Sequence, residues 1–445
     1  MKTEKKSDRY TNANPIIMEI LLITSQYPYN CGDVVFIKPE MPFLSRAFDK
    51  VHVMYTDSNA VSYNKIDVPA NVAIIPPPLH DLRGTGKKYR RSRTLFISFF
   101  HPFKIVYIFM MELWSLLVHK KICTQTFKTA MNYILDANFY MVYLKKYLHE
   151  NPEIRMIYTY WFERKTFAFL IYKKYFNKHI KCITRAHGYD LYEFQLDNNY
   201  QPYKRWMDKY IDSVFFVSKA GRDYYLNLFA GTIKNKYFIS KLGIENKYKL
   251  KELNMNEYPE GLLNIVSCSY IIPRKRIHII IMALSSIKTI PINWIHIGDG
   301  NERNNIENLA LQLLGNNNNI KYNFLGHFDN DSIKEYYYNN NFDCFISTTE
   351  AEGGNPVSMM EAISFGIPII ASNVGGIPEV VNKDTGILLD PDNCVEELAS
   401  ALHRFSSMTS TEKQTLRKSC RKYWEDNYMA EKQYSVFVDN LKNIF

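Results

Sequence analysis

EAEGGNPVSMMEAISFGIPIIASNVGGIPEVV, residues Glu350–Val381, sets two glycine pairs around an apolar segment that holds a single carboxylate, Glu361, at its start. Just before it, the apolar run Asp343–Ser347 reads as a short strand buried on both faces, as in a parallel sheet. The Gly353–Gly354 pair breaks the run, and an amphipathic helix is expected from Asn355 or Pro356, with Asn as N-cap and Pro in the first turn. Met359, Met360 and Ile363 supply its apolar face, and Gly366 ends it. A second buried strand, Pro368–Ser372, follows at once, and Gly375–Gly376 open the next loop.

Strand, glycine loop, helix and strand together suit a phosphate ester. Glycines let the backbone approach a ligand closely, and the free N–H groups at a helix start favour an anion. Glu352 stands just before the loop and Glu361 inside the helix. A carboxylate at each place can accept two adjacent hydroxyls, as sugars and ribose present them. Spacing alone fits equally well an ordinary βαβ crossover with solvated glutamates.

The stretch resembles the signature of the family-4 retaining glycosyltransferases (glycosyl transferases group 1) of the polysaccharide-biosynthesis type. In that family two glutamates separated by seven residues flank a Gly-rich loop. A run E-A-x-x-x-G-x-P-V-I-A-[ST]-x-x-G-G-x-x-E-[IV]-[IV] follows, and Glu361-Ala362, Gly366, Pro368, Ala371-Ser372, Gly375-Gly376 and Glu379-Val380-Val381 match it. The resemblance implies that Glu361 holds the donor ribose, and that Glu352 with Gly353, Gly354, Asn355 and Pro356 holds the donor sugar. One departure stands out: eight residues, not seven, separate Glu352 from Glu361, so either the loop carries an insertion or the first glutamate has slipped.

At 445 residues the chain is long enough for two or three domains with sizeable cores. Its seven cysteines are scattered, with no C-x-x-C and no zinc-site spacing, which reads as reduced thiols in a cytoplasmic protein. The formal charge of +10 admits nucleic acid, a membrane surface or an anionic substrate, and no nucleic-acid motif supports the first. Residues 1–15 lack the apolar core of a signal peptide and read as a disordered leader.

In chain order, Ile16–Thr24 is a strand, Phe36–Phe48 a helix and Lys50–Thr56 a strand, a Rossmann-type opening. Only Gly32 lies in the first loop and no G-x-G-x-x-G occurs there, which argues against a dinucleotide cofactor. The same opening resembles the family's acceptor domain. Basic residues between Arg83 and Arg93 precede an aromatic run, Leu95–Trp114, that approaches a transmembrane length but is interrupted by His101, Pro102, Lys104 and Glu112. Residues 83–114 therefore read either as a surface that lies on an anionic membrane or as packed helices with a solvated basic loop. Ile154–Trp161, which contains Tyr160, and Lys181–Thr184 are strands ending at the cleft. The second leads into Arg185-Ala186-His187-Gly188-Tyr189-Asp190, which resembles the family's H-G-x-D loop, whose histidine contacts the donor sugar.

Asn264–Ser269 begins a second Rossmann-like unit, and Arg274-Lys275-Arg276 stand at its first strand–helix junction, where cations can neutralise a diphosphate. Lys275 matches the lysine of the family's G-R-x-x-x-x-K-G, while Tyr270 occupies the arginine position, so Arg274 or Arg276 is left as the substitute. Gly298 lies in a segment similar to V-G-x-G and His327 in one similar to F-x-G, which approaches the nucleotide base. Tyr423–Phe445 is helical in pattern.

The fold this implies is α/β, of the GT-B kind: two facing Rossmann-like domains with a cleft between them and a C-terminal helix crossing back. The expected divisions are an acceptor domain over 16–245, a linker over 246–260, a donor domain over 261–422 and the returning helix over 423–445. The expected activity is metal-independent, retaining transfer of a hexose-type sugar from a UDP- or GDP-sugar, with no cofactor, to a glycan or lipid-linked acceptor in bacterial surface polysaccharide synthesis. His187, Lys275 and Glu352 are the expected catalytic residues. Arg274, Arg276, Gly298, His327, Glu361 and the 353–356 loop are expected on the donor, and Gly32, Tyr160 and Asp190 on the acceptor side. The protein is expected in the cytoplasm, peripheral on the inner face of the cell membrane. Two rival readings are a nucleotide-sugar epimerase of the same fold and a catalytically idle sugar-binding protein.

Overall fold

A computed structural model describes residues 17–76, 102–231, 235–251 and 261–445. The first sheet has seven strands, β1 (Glu19–Thr24), β2 (Lys50–Tyr55), β3 (Val72–Ile75), β4 (Ile154–Thr159), β5 (Lys181–Ala186), β6 (Ser213–Phe216) and β7 (Tyr237–Ile239), ordered β3-β2-β1-β4-β5-β6-β7. Its helices are α1 (Val34–Ile37), α2 (Met41–Ala47), α3 (Pro102–Val118), α4 (Thr124–Glu150), α5 (Arg164–Tyr175), α6 (Lys204–Tyr210) and α7 (Lys219–Leu228). The second sheet has six strands, β8 (Leu263–Cys268), β9 (Ile292–Ile297), β10 (Ile320–Phe324), β11 (Cys344–Ser347), β12 (Ile369–Ser372) and β13 (Gly386–Leu389), ordered β10-β9-β8-β11-β12-β13. Around it lie α8 (Ile277–Ser286), α9 (Arg303–Leu314), α10 (Asn330–Asn339), α11 (Val357–Ser364) and α12 (Cys394–Ser407), and the chain ends in α13 (Ser410–Asn427) and α14 (Ala430–Ile444).

Every strand pair in both sheets is parallel. Strands such as EILLIT and KCITRA are buried along nearly their whole length because helices cover both faces of the sheet. Strand order reverses between β1 and β4 in one sheet and between β8 and β11 in the other. Ligands of doubly wound sheets bind outside the carboxyl ends of the strands at such reversals.

The two units are joined by two chain passes lying side by side. Ile244 donates its N–H to Tyr428 O at 2.7 Å, and Ala430 donates to Ile244 O at 3.3 Å. Gly243 permits this approach, since a Cβ there would lie 2.5 Å from Ala430 Cα. After that crossing, α14 packs Tyr434, Phe437, Val438 and Leu441 into the apolar layer under the first sheet, against Ile20, Leu22, Tyr158 and Phe215.

Two expected helices are each divided. Phe36–Phe48 forms α1 and α2 with a break between them, because Pro39 cannot donate within a helix and Pro42 starts the next one. Tyr423–Phe445 breaks at Tyr428–Met429, where the backbone turns extended and the chain changes domain. The 1–15 leader, the 83–101 part of the basic-aromatic stretch and linker residues 252–260 lie outside the described residues. Among the described residues no helix is long and apolar enough to cross a membrane.

The Phe437 ring is fully buried, with its centroid 5.5 Å from that of Tyr158 and 5.0 Å from that of Phe215. Phe437→Ala should therefore lower the stability of the first domain by about 3–5 kcal/mol, measured by urea unfolding. A loss under about 1 kcal/mol would mean that α14 does not form part of that core.

Candidate active site

The loops at the carboxyl ends of the two sheets meet at a pair of glycines. A Cβ on Gly353 would lie 2.3 Å from Gly188 Cα, so the glycine loop after β11 touches the loop after β5 with no room for a side chain. His187 stands beside that contact. On the other side, Lys275 in the turn after β8 forms an ion pair with Glu352, and both side chains are largely buried. Lys275, Glu352, Gly353, Gly188 and His187 thus form one continuous line across the two units.

His187 is buried in an aromatic wall, its ring centroid 4.3 Å from Trp161 and 5.0 Å from Tyr160. Among the described residues neither ring nitrogen has a hydrogen-bond partner, and Nδ1 lies 3.6 Å from Asp190 Oδ2. Burial pushes the imidazole below its ordinary pKa despite Asp190, so it is neutral at pH 7. Asp190 accepts the N–H groups of His187 and Phe162, each at 2.9 Å. Burial alone would raise its pKa, but His187, Lys204 and these bonds hold it below the usual range. Lys204 donates to the carbonyls of Phe162 and Asp190, and burial pushes its pKa down to about 7.

The 274–276 cations have different employments. Arg276 donates Nε to Thr348 O at 2.9 Å, and its Nη2 lies 3.2 Å from Cys394 Sγ. That guanidinium ties the turn to β11 and α12. The Arg274 carbonyl accepts Glu350 N–H at 3.0 Å, while its half-buried guanidinium carries no hydrogen bond among the described residues.

Glu361 is buried in α11; its carbonyl accepts the Ser364 O–H at 2.7 Å, while its carboxyl has no hydrogen-bond partner among the described residues. Burial pushes its pKa up to about 7, with Lys334 opposing. Asn355 does not cap α11 with its side chain, as the sequence suggested. Its amide donates across the cleft to Val217 O at 3.3 Å, and Pro356 occupies the cap position. Gly354 faces Val217, Gly298 donates to Gly326 O at 2.8 Å beside the exposed His327, Tyr160 lies under His187, and Gly32 lies against Gln26.

Four residues the sequence reading did not single out shape this region. Asp33 accepts the N–H groups of Ser25, Gln26 and Tyr27 at 2.6–2.9 Å and lies 3.4 Å from Trp161 Nε1. Arg185 is wholly buried, 3.1 Å from Glu40. Lys204 holds the His187 loop from below. Glu379, read only as a motif match, accepts Lys219 N–H and Ala220 N–H at 3.0 and 2.9 Å, so the donor-side unit caps α7 of the other unit. A charge inside an apolar strand, as in KCITRA, is the one signal that could have flagged Arg185.

Two parallel doubly wound sheets facing one cleft, with a terminal helix returning to the first, define a GT-B protein. Residues 251–425 match the family described as Glycosyl transferases group 1, and this part of the chain is a domain of that family. The chain is 25% identical over 256 residues to "Putative colanic acid biosynthesis glycosyltransferase WcaL" of Escherichia coli, a match that covers 56% of this chain and 61% of that protein. Among solved structures it is similar to the sucrose-phosphate synthase of Thermosynechococcus elongatus, with TM-score 0.67, 16% identity and 96% and 99% of the two chains covered. It is similar also to Anabaena HepE in complex with UDP-glucose, with TM-score 0.61, 15% identity and 95% and 99% covered. These two likenesses are of fold.

The Glu361 carboxyl makes a pH prediction. The folded protein holds its proton to about pH 7, against an ordinary value of 4.5, so its contribution to stability is full below about pH 4.5 and is lost as pH rises through about 7. Glu361→Gln should remove roughly 3 kcal/mol of the fall in ligand-free stability between pH 4.5 and 8, read by denaturant unfolding at both pH values. Parallel pH dependences for variant and wild type would show that Glu361 is ionised and solvated in the folded protein.

Proposed function

We propose that the protein is a metal-independent, retaining glycosyltransferase of bacterial surface polysaccharide synthesis. It moves a hexose-type sugar from a UDP- or GDP-sugar to a glycan acceptor that is lipid-linked. It works from the cytoplasm at the inner face of the membrane. The observation that carries this reading is the line Lys275–Glu352–Gly353–Gly188–His187, which puts a cation, a glycine loop and a neutral imidazole at one point between the two sheets. The group 1 domain and the colanic acid relative support the activity and its setting. The UDP-glucose held by HepE supports the donor class.

In this reading Glu361 accepts the ribose hydroxyls, and its unpartnered carboxylate in a buried setting gains what it lacks without ligand. Lys275 and Arg274 face the diphosphate, while Arg276 keeps the turn in shape. The bond from the sugar's anomeric carbon to the diphosphate oxygen breaks on the same face that the acceptor hydroxyl attacks, and the hydroxyl proton passes to the departing phosphate. Charge grows on the diphosphate during that step, and Lys275, Arg274 and the amides at the start of α11 stabilise it. Neutral His187 and Glu352 orient the sugar. Asp190 and Lys204 position His187 from within the first unit.

Glu361→Ala should weaken nucleotide diphosphate binding by roughly 1.5–3 kcal/mol, read by calorimetry, and an unchanged affinity in the folded variant would remove the ribose assignment. Lys275→Ala should lower turnover about a hundredfold or more, measured as nucleotide diphosphate released when acceptor is added. Arg274→Ala should follow Lys275→Ala in rate, whereas Arg276→Ala should lower stability first. A wild-type protein that binds donor yet never releases nucleotide diphosphate with any lipid-linked glycan offered would overturn the transferase reading.

A further inference from the structure

Helix α3 is apolar on both sides. One face packs Ile105, Ile108 and Leu116 into the first unit's core, with Phe109 and Leu113 against it. The opposite face exposes Phe103, Val106, Tyr107, Met110, Met111, Trp114, Leu117 and Val118, each at least 49% accessible. At 100° per residue these eight lie within an arc of about 140°, with no charged residue among them. The helix's two charges fall outside that arc. Lys104 flanks it, with Nζ over the Tyr175 ring, and Glu112 points inward, accepting Tyr200 O–H at 2.6 Å and Tyr203 N–H at 2.9 Å.

Such a face is larger and more aromatic than the scattered apolar residues that soluble surfaces carry. Its setting is basic. In sequence, Lys87, Lys88, Arg90, Arg91 and Arg93 precede the helix with no acidic residue before Glu112, and His119, Lys120 and Lys121 follow it. Cations adjacent in sequence, with Trp, Tyr and Phe on an apolar arc, are the composition that complements anionic headgroups over acyl chains. Because the inner face is packed along its length, α3 would lie flat on the bilayer.

We propose that the outward face of α3 seats the protein on an anionic bilayer surface, α3 lying in the interface with its aromatic arc among the acyl chains. This rests on the reading of a lipid-linked acceptor and gives it a location. The helix and its partner α4 are bonded to the segment that follows His187 and Asp190. Besides the Glu112 contacts, Lys121 pairs with Glu193 at 2.5 Å, and Asn198 donates to Thr129 at 3.1 Å. The seated helix is thereby held against the acceptor side of the cleft, and a membrane-anchored acceptor would reach the site from the surface α3 occupies.

The test uses the full chain with vesicles of phosphatidylcholine alone and with phosphatidylglycerol added. Binding is read by flotation, and depth by the blue shift of Trp114, since the other four tryptophans are buried or half-buried. Binding to the anionic vesicles, weakened but not abolished by salt, is expected. The double variant Met110→Glu/Trp114→Glu should reduce it at least tenfold while UDP and GDP affinities, measured by calorimetry, stay unchanged. Absence of vesicle binding by folded, nucleotide-binding protein would overturn the proposal. So would a dimer that the double variant dissociates in the absence of lipid, because the arc would then belong to a second copy. Vesicle binding by a protein that binds neither nucleotide would leave the seat standing and overturn the transferase reading instead.

Discussion

A guanidinium with no access to water lies under the site, and much of the first unit is arranged to keep it there. Arg185 is the penultimate residue of β5, and its side chain reaches Glu40 at 3.1 Å, Tyr158 Oη at 3.0 Å and Ser240 O at 3.1 Å, with the Phe437 ring 4.3 Å away. Burial works against the charge, but Glu40 and the surrounding phenols hold its pKa well above the ordinary value. Removing one partner of such a pair is far costlier than never having built it. The cation therefore binds four parts of the chain together: the start of α2, strand β4, the end of β7 and the returning α14. His187 is two residues further on, so the imidazole inherits its position from this knot.

Across the cleft the same economy is visible in a different form. Lys275 and Glu352 neutralise each other where the donor's diphosphate and sugar are proposed to bind. The glycine pair Gly188–Gly353 then sets how closely the two units approach, while Glu379 on the amides of α7 and Asn355 on Val217 O hold that approach. Polar groups at this boundary are satisfied by the opposite unit, beside the apolar contact that Val217 makes with the second unit's core.

This division explains how much was legible in the sequence. The second unit could be read nearly element by element, because short buried strands, glycine loops and amphipathic helices are local patterns, and Glu361, Lys275 and Gly353 sit at fixed offsets within them. What escaped was whatever depends on a partner far along the chain. Asn355 has every local reason to cap α11, yet its amide is taken by a carbonyl 138 residues away. Asp33, Lys204 and Glu379 look like ordinary surface charges in sequence, and only the fold turns each toward backbone groups it satisfies. The breaks in the two divided helices have different causes. The first was written in Pro39 and Pro42. The second comes from the crossing of the chain between units, for which Tyr428–Met429 carries no local mark.

Helix α3 shows the limit of hydropathy from another direction. A run that is apolar all round can be a spanning helix, a core helix or one lying in an interface, and composition does not separate them. The inward carboxylate does. Glu112 is half-buried, desolvation raises its pKa, and it is satisfied by Tyr200 and the Tyr203 amide, which fixes the rotation of α3 about its own axis. With Glu112 directed into the first unit, Ile105, Ile108 and Leu116 must follow it inward, and Met110 and Trp114 must face out. One polar residue in an apolar helix thus selects which stripe is core and which is left to whatever covers it.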